Sequence, residues 1–353
     1  MNLKTPTAKH LAPTIASLFT AALFTINAKL TAEWVKRGLQ TCFTTVIPSL
    51  FPYIVISEIL CACGGLDYFS KPFSKVAKKL WGISEKSSAA VLSGLILGFP
   101  IGTRALARLK DNGEISENEL SHAIGFCGIP SFGFTVNAVG ISLFSSKAFG
   151  YAAFFISFIS AITTALVFKR SSKSDFFYIP SQKENKKSSA EIITGAISSA
   201  TRATITLCAY VVFFSALVGS FSELATSPLA AGVIGSLLEL STGIASDAHL
   251  GGRIGIALCG FALGWSGISV HLQAMALLAD RVKSYKVYFS QKLFQGALCS
   301  VGLLIYSFIT DFTPPTYGDI PAVSGALPSE YAIFVLILFF FCIFSCKKKL
   351  FPL

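Results

Sequence analysis

The sequence predicts an all-α polytopic membrane protein with about eight transmembrane helices plus two re-entrant helical hairpins in two repeated halves. Hydrophobic residues make up 53% of the 353-residue chain and charged residues only 13%, a composition typical of membrane proteins. Apolar runs long enough to cross a bilayer alternate with short segments that carry most of the lysines. In addition, one short apolar run interrupted by glycine and proline has a counterpart in the second half.

The long apolar runs predict spans at 11–28, 41–64, 117–144, 149–168, 204–221, 229–246, 287–309 and 331–346. A signal peptide is the alternative for the first run, but no small-residue cleavage site follows it, which favours a retained helix. Pro48 and Pro52 predict a kink in the second span. The segment 67–88 alternates lysines with apolar residues, which predicts an amphipathic helix on the cytoplasmic membrane surface.

The apolar run 89–103 is too short to cross a membrane. Its roughly fifteen residues make a helix of only about 23 Å, against a hydrocarbon core of about 30 Å. Pro100 blocks a straight continuation, while Gly98 and Gly102 permit tight turns and close packing. The sequence predicts a re-entrant hairpin over 87–112, and a helix merely kinked by proline is the alternative.

A second such hairpin is predicted over 251–280, because the tripeptide at Leu97 resembles the one that begins 166 positions later at Leu263. Glycine and proline between Gly125 and Ser131 also predict an unwound stretch within the span 117–144. The predicted organisation is a helix and loop (1–40), the first repeat (41–168), a basic cytoplasmic linker (169–203), the second repeat (204–309), and an extracytoplasmic loop with the last helix (310–353).

The net charge of +11 does not indicate nucleic-acid binding, since the basic residues cluster between apolar runs, where the positive-inside rule expects them. Counting those clusters places both termini on the cytoplasmic side of a bacterial cell membrane. Both hairpins then enter from that side. One misfit remains, because the basic segment 29–37 faces outward in this arrangement. The nine cysteines are scattered without a CxxC pair, so no metal site or cofactor is predicted.

Five motifs resemble those of membrane proteins with nucleoside-recognition (Gate) domains, most closely the YlbJ-type sporulation integral membrane proteins. They occur in the family's order and are PSLFPYIVISEIL, GFPIGTRALARLKDNGEIS, FCGIPS, LLELSTG and GWSGISVHLQAMALL. The resemblance implies an eight-span protein with two Gate-like repeats of opposite orientation, related to concentrative nucleoside transporters and associated with spore cortex formation. It assigns no substrate.

The chain departs from this family at one point. Where the family has two asparagines, this chain has Gly128 and Ile129, which lack an amide to bind freed backbone groups or a ligand. Asn137, about two turns farther on, is a candidate replacement.

Candidate solute-binding residues lie at the predicted turns and at one intramembrane carboxylate. They are Gly98, Phe99, Pro100, Gly102, Cys127, Gly128, Ser131, Asn137, Glu239, Ser241, Thr242, Ser266, Ser269, His271 and Gln273. Glu239 is the sharpest, because an ionisable group within an apolar run is costly unless it has a function. A hydrogen-bonded structural role is the alternative for Glu239 and for His271. Glu58 is expected to pair with a lysine, and Arg104 and Arg108 to anchor the first hairpin.

The predicted hairpins and helix breaks favour a transporter-like protein for a small polar solute with H⁺ or Na⁺ coupling. The resemblance implies that the solute is nucleoside-like and that the protein acts in spore formation. The alternative is a non-transporting scaffold or regulator of sporulation. An enzyme is not predicted, since HExxH, GxSxG and P-loop motifs are absent from the sequence. The expected partners are the lipid bilayer and the solute, and the chain is compatible with a homo-oligomer.

Overall fold

The structure is a computed structural model that describes residues 8–169, 188–222, 225 and 227–314. Throughout these residues the regular structure is helical, and five stretches are long and apolar enough to cross a membrane, at 28–62, 147–167, 189–222, 252–281 and 286–310. The predicted last span at 331–346 and most of the polar linker, 170–187, lie outside the described residues.

The N-terminal part is a run of helices. Helix α1 (Ala8–Ile26) is followed by α2 (Ala28–Thr41), a π-helical turn (Cys42–Val46) and α3 (Ile47–Ala62). The predicted loop before residue 40 is therefore wrong, because its charged residues lie on an amphipathic helix. Helix α4 (Gly65–Trp81) forms where an amphipathic helix was predicted, and it ends at Gly82 in a left-handed conformation.

Next comes a helical hairpin, which we call hairpin 1. It consists of α5 (Glu85–Leu97) and α6 (Ile101–Asp111), which pack side by side. A Cβ atom on Gly102 would lie 2.8 Å from the Cα of Gly94, so this approach requires glycine. The turn predicted between Gly98 and Pro100 is confirmed.

The helix after hairpin 1 is interrupted, as predicted. Helix α7 (Glu117–Cys127) ends at a stretch that we call break 1 (128–131), and the chain continues into a π-helical segment (Phe134–Leu143). Helix α8 (Lys147–Val167) completes the first half.

In the second half, α9 (Ser189–Ser222) is one helix of 34 residues. The predicted linker is thus wrong beyond residue 188, because small and polar residues that resemble a linker form a packing face here. Ala196 and Ala200 on that face are buried. Helices α10 (Pro228–Leu238), α11 (Leu240–Leu250), α12 (Gly252–Trp265), α13 (Gly267–Leu278) and α14 (Lys286–Thr310) follow, with a 3₁₀ turn (Ala279–Arg281) before the last.

The second hairpin is formed by α10 and α11 and not by 251–280. We call α10–α11 hairpin 2; its helices pack side by side, whereas α12 and α13 follow each other across Ser266, which we call break 2. Gly235 and Gly243 approach each other as Gly94 and Gly102 do, and each lies 141 positions after its counterpart. The tripeptide match at a separation of 166 residues therefore paired hairpin 1 with a segment that is not its counterpart. The predicted span 229–246 is also not one straight helix, because α10 ends and α11 begins within it.

Ion pairs identify one end of the molecule, which we call the Arg281 end. Arg281 binds Asp111 at the base of hairpin 1, with Nε–Oδ1 and Nη2–Oδ2 distances of 2.6 and 2.7 Å. At the same base, Lys86 binds Glu114. The chain therefore enters and leaves hairpin 1 at the end where α13 finishes and α14 begins.

Contacts at the opposite end, the Arg253 end, surround the base of hairpin 2. There the amide of Gly252 donates to the carbonyl of Pro314 at 3.1 Å, and Arg253 pairs with Asp311 at 3.2 Å. Since α14 runs between the two ends, hairpin 1 enters the helix bundle from the Arg281 end and hairpin 2 enters it from the Arg253 end. The charge count placed both hairpins on one side because it let 251–280 turn back, whereas in the structure 252–281 is one of the stretches long and apolar enough to cross a membrane.

Candidate functional site

Both hairpin tips and both breaks meet at one cavity in the interior. Its volume is about 60 Å³, room for a few water molecules. Seven of the predicted residues line it, namely Phe99, Ser131, Glu239, Ser241, Ser266, Ser269 and Gln273. The remaining wall is apolar and consists of Val46, Leu50, Ile129, Pro130, Phe134, Leu207, Val211, Leu240 and Val270.

Hairpin 1 is seated on break 1. The amide of Phe99 donates to the carbonyl of Ile129 at 3.0 Å, so the tip satisfies a backbone group that the unwinding of α7 releases. Gly98 has a φ of 89°, and a Cβ there would lie 2.7 Å from the amide nitrogen of Ser131. A side chain at Gly98 would therefore push the tip off the break.

Hairpin 2 is seated on break 2 in the corresponding way. The indole Nε1 of Trp265 donates to the carbonyl of Leu237 at 3.2 Å. A Cβ on Gly267 would lie 3.0 Å from the amide nitrogen of Leu240. Each half of the chain thus brings a hairpin tip against its own interrupted helix.

Glu239 both caps a helix and lines the cavity. Its Oε2 accepts from the amide of Thr242 at 2.7 Å, so the side chain caps the N-terminus of α11. The same residue lines the cavity and is only 2% exposed. The structural role left open from the sequence is therefore present, alongside a position in the cavity lining.

The other predicted residues lie outside the cavity lining. The Cys127 thiol is 3.8 Å from the Thr103 hydroxyl, and the Thr242 hydroxyl is 2.9 Å from that of Ser215. His271 Nδ1 is 2.8 Å from the Tyr288 hydroxyl. Pro100, Gly102 and Gly128 are not among the lining residues either.

Asn137 does not replace the two missing asparagines. Its side chain is exposed, because the π-helical segment turns it away from break 1. The carbonyl of Gly128 instead accepts from the ammonium group of Lys292 on α14, which also donates to Gln295 Oε1 at 3.2 Å. Lys292 is 2% exposed.

Lys292 and Asp247 are buried charged residues that were not predicted as site residues. Lys292 stands inside the predicted span 287–309, so the rule that singled out Glu239 applies to it equally. Asp247 follows the predicted span 229–246 by one position and was therefore treated as a loop residue. In the structure Asp247 is fully buried, and its Oδ2 accepts from the Ser236 hydroxyl at 2.7 Å.

Glu58 pairs with arginines, not with a lysine as predicted. It lies 3.1 Å from Arg104 and 2.8 Å from Arg108, both on α6. Arg104 also donates to the Ser199 hydroxyl on α9 at 2.9 Å. These contacts tie hairpin 1 to α3 and α9, so the expected anchoring role of the two arginines is confirmed.

The chain is similar to the sporulation integral membrane protein YlbJ of Bacillus subtilis (strain 168). The two are 19% identical over 327 residues, which covers 82% of this chain and 80% of YlbJ. No family model matches the chain, and no solved structure matches it. Together with the five long apolar helices, the similarity supports a multi-pass integral membrane protein.

Proposed function

We propose that this protein is a membrane transporter for a small polar, nucleoside-like solute, coupled to H⁺ or Na⁺, and that it acts in spore formation. One observation carries the proposal: two hairpin tips from opposite ends and two helix breaks converge on one buried cavity. Interrupted helices in duplicated halves are where transporters of several folds hold their solutes.

The opposite entry of the hairpins supports alternating access. Withdrawing hairpin 1 would open the cavity toward the Arg281 end, and withdrawing hairpin 2 would open it toward the Arg253 end. The cavity of about 60 Å³ is far below the roughly 300 Å³ of the smallest usual ligand pockets. A nucleoside therefore does not fit the cavity in this conformation, and its binding requires movement of at least one hairpin.

The lining favours a solute that is apolar on its faces and polar at its edge. Ser269 is buried, and its hydroxyl has no partner among the described residues. Gln273 stands one helical turn farther along α13 and supplies both a donor and an acceptor. Leu50 and Leu207 provide apolar walls. A nucleobase or nucleoside has this combination of ring faces and polar edges.

Uptake into proteoliposomes tests the transport proposal. We expect the wild-type protein to move at least one member of a nucleoside and nucleobase panel. Ser269→Ala and Gln273→Leu should reduce that uptake about tenfold each, as for a lost hydrogen bond of about 1.4 kcal/mol. Ser307→Ala is the matched control, because Ser307 is buried but bonds to Phe312 outside the lining.

No uptake of any panel member by folded protein would contradict transport of this class and favour the scaffold alternative. The role in spore formation rests on the similarity to YlbJ. Deleting the gene in its own host should lower the count of heat-resistant spores without slowing vegetative growth. An unchanged spore count would contradict that role.

A further inference from the structure

We infer that Asp247 is a proton-binding site inside hairpin 2 and that its protonation holds this hairpin closed. This deepens the proposed function, because it names the coupling ion as H⁺ and places it on one residue. The inference about Asp247 protonation itself does not require that a solute be known.

The surroundings of Asp247 provide only one hydrogen bond. Its Oδ2 accepts from the Ser236 hydroxyl on α10 at 2.7 Å, while its Oδ1 has no partner among the described residues. The side chain is 0% exposed. Glu239 differs, since its carboxylate accepts the amide of Thr242 as a helix cap.

Positive charge is missing around this carboxyl. Helix α10 has no titratable side chain, and the π-helical segment has none either. The titratable groups on α11 and on the other helices packed against it are Glu239, His249, Glu191, Arg202, Cys208, Tyr210, Arg253, Cys259 and His271. Of the two arginines, Arg253 pairs with Asp311 and Arg202 donates to Ser198. No ion pair joins a described residue to Asp247.

An ionised carboxylate with one hydrogen bond and no cation is very costly to bury. The closed hairpin therefore requires the neutral carboxylic acid at Asp247. When hairpin 2 separates and water enters, the O–H bond of the acid breaks and its proton passes to water. Closing the hairpin again requires a proton to return to the carboxylate.

Hairpin 1 shows that the fold does not need a polar pair at this place. The positions that correspond to Ser236 and Asp247, each 141 residues earlier, are Leu95 and Leu106. Both leucines are buried, at 1% and 0% exposure. Two leucines suffice to pack one hairpin, so a carboxyl in the other is a departure that stability alone does not explain.

Trp265 provides the test, because its indole bonds to hairpin 2 and the chain has only three tryptophans. Trp34→Phe and Trp81→Phe leave Trp265 as the sole emitter. In purified protein in lipid nanodiscs, raising the pH should shift its emission to the red as hairpin 2 hydrates. Asp247→Asn should abolish that shift, and Asp280→Asn, at an exposed carboxyl outside hairpin 2, should keep it.

His271 lies 4.2 Å from Trp265 between ring centroids, so its ring also affects the emission. Asp247→Asn retains this contribution, and the difference between the two titrations isolates Asp247. Ser236→Ala offers a second variant, and loss of its hydrogen bond should move the midpoint upward by up to about one pH unit.

Identical titrations for the wild-type and Asp247→Asn proteins would overturn the inference, as would an unmoved midpoint in Ser236→Ala. An emission change on replacing K⁺ with Na⁺ at constant pH, absent from Asp247→Asn, would overturn the assignment to a proton. None of these results depends on uptake. A failed transport experiment therefore leaves the inference about Asp247 standing, and a failed fluorescence experiment leaves the transport proposal standing.

Discussion

Hairpins 1 and 2 share their construction but differ in what holds them. Both use a glycine pair for close approach, and both seat a tip on an interrupted helix. Hairpin 1 buries Leu95 and Leu106 and is tied down by Glu58. At the corresponding positions hairpin 2 has Ser236 and Asp247, and no ion pair between described residues links its helices to the rest of the protein. We therefore expect hairpin 2 to move more readily than hairpin 1.

The largest loss of stability is expected for substitutions at the glycines that both hairpins use for close packing. A Cβ on Gly94 would lie 2.1 Å from the Cys127 carbonyl oxygen, and one on Gly243 would lie 2.6 Å from the Gly235 carbonyl carbon. Gly94→Ala and Gly243→Ala should each cost about 3 kcal/mol through overpacking. Thermal unfolding in detergent measures this. Gly195→Ala is the control, since a Cβ there meets nothing within 4 Å. Wild-type stability in both variants would contradict the packing account.

An intermediate effect is expected for the anchor that only hairpin 1 has. Glu58→Gln removes the charge that two arginines share in a mostly buried position. We expect a loss of about 1 to 2 kcal/mol, between the values for exposed and for buried pairs. Lys283→Ala, at an 81% exposed side chain, should change stability by less than about 0.5 kcal/mol in the same unfolding assay. Equal effects would mean that hairpin 1 is not anchored through Glu58.

The smallest effect concerns the exposed base of hairpin 1. Hydrogen bonds from Arg281 hold the pKa of Asp111 below its usual 3.8. A lowered pKa in the folded state adds stability above the ordinary pKa, and this is lost as the pH falls through the folded-state value. Asp111→Asn should therefore lose well under 1 kcal/mol at neutral pH, because the pair is exposed. As the pH falls below about 4, the Asp111→Asn protein should lose less stability than the wild type. Parallel acid-unfolding curves would contradict this.

The sequence predicted the interruptions that have local causes. A glycine and a proline stand two residues apart at Gly98 and Pro100 and again at Gly128 and Pro130, so hairpin 1 and break 1 were located correctly. The tip of hairpin 2 is Leu238-Glu239-Leu240, which contains neither glycine nor proline, and the turn there depends on the Glu239 cap and on packing against break 2. Those contacts are long-range, and for this reason the second hairpin was assigned to the wrong segment.

Long-range pairing also explains the buried charged residues that were missed. The contact of Lys292 with break 1 becomes visible only when α14 is placed beside that break, 164 positions away in the chain. The pair of Ser236 and Asp247 depends on α10 folding back on α11. Phe99 and Gln273, in contrast, were selected as residues near predicted turns, and the structure places both in the cavity lining.

Opposite entry of the two hairpins underlies the proposed alternating access, and accessibility of single cysteines from each side of the membrane tests it directly. In a background without native cysteines, Lys86→Cys and Lys283→Cys mark the Arg281 end, and His249→Cys marks the base of hairpin 2. A membrane-impermeant thiol reagent should label positions 86 and 283 from one side and position 249 only from the other. Labelling of positions 86 and 249 from the same side would contradict the opposed hairpins and the alternating access built on them.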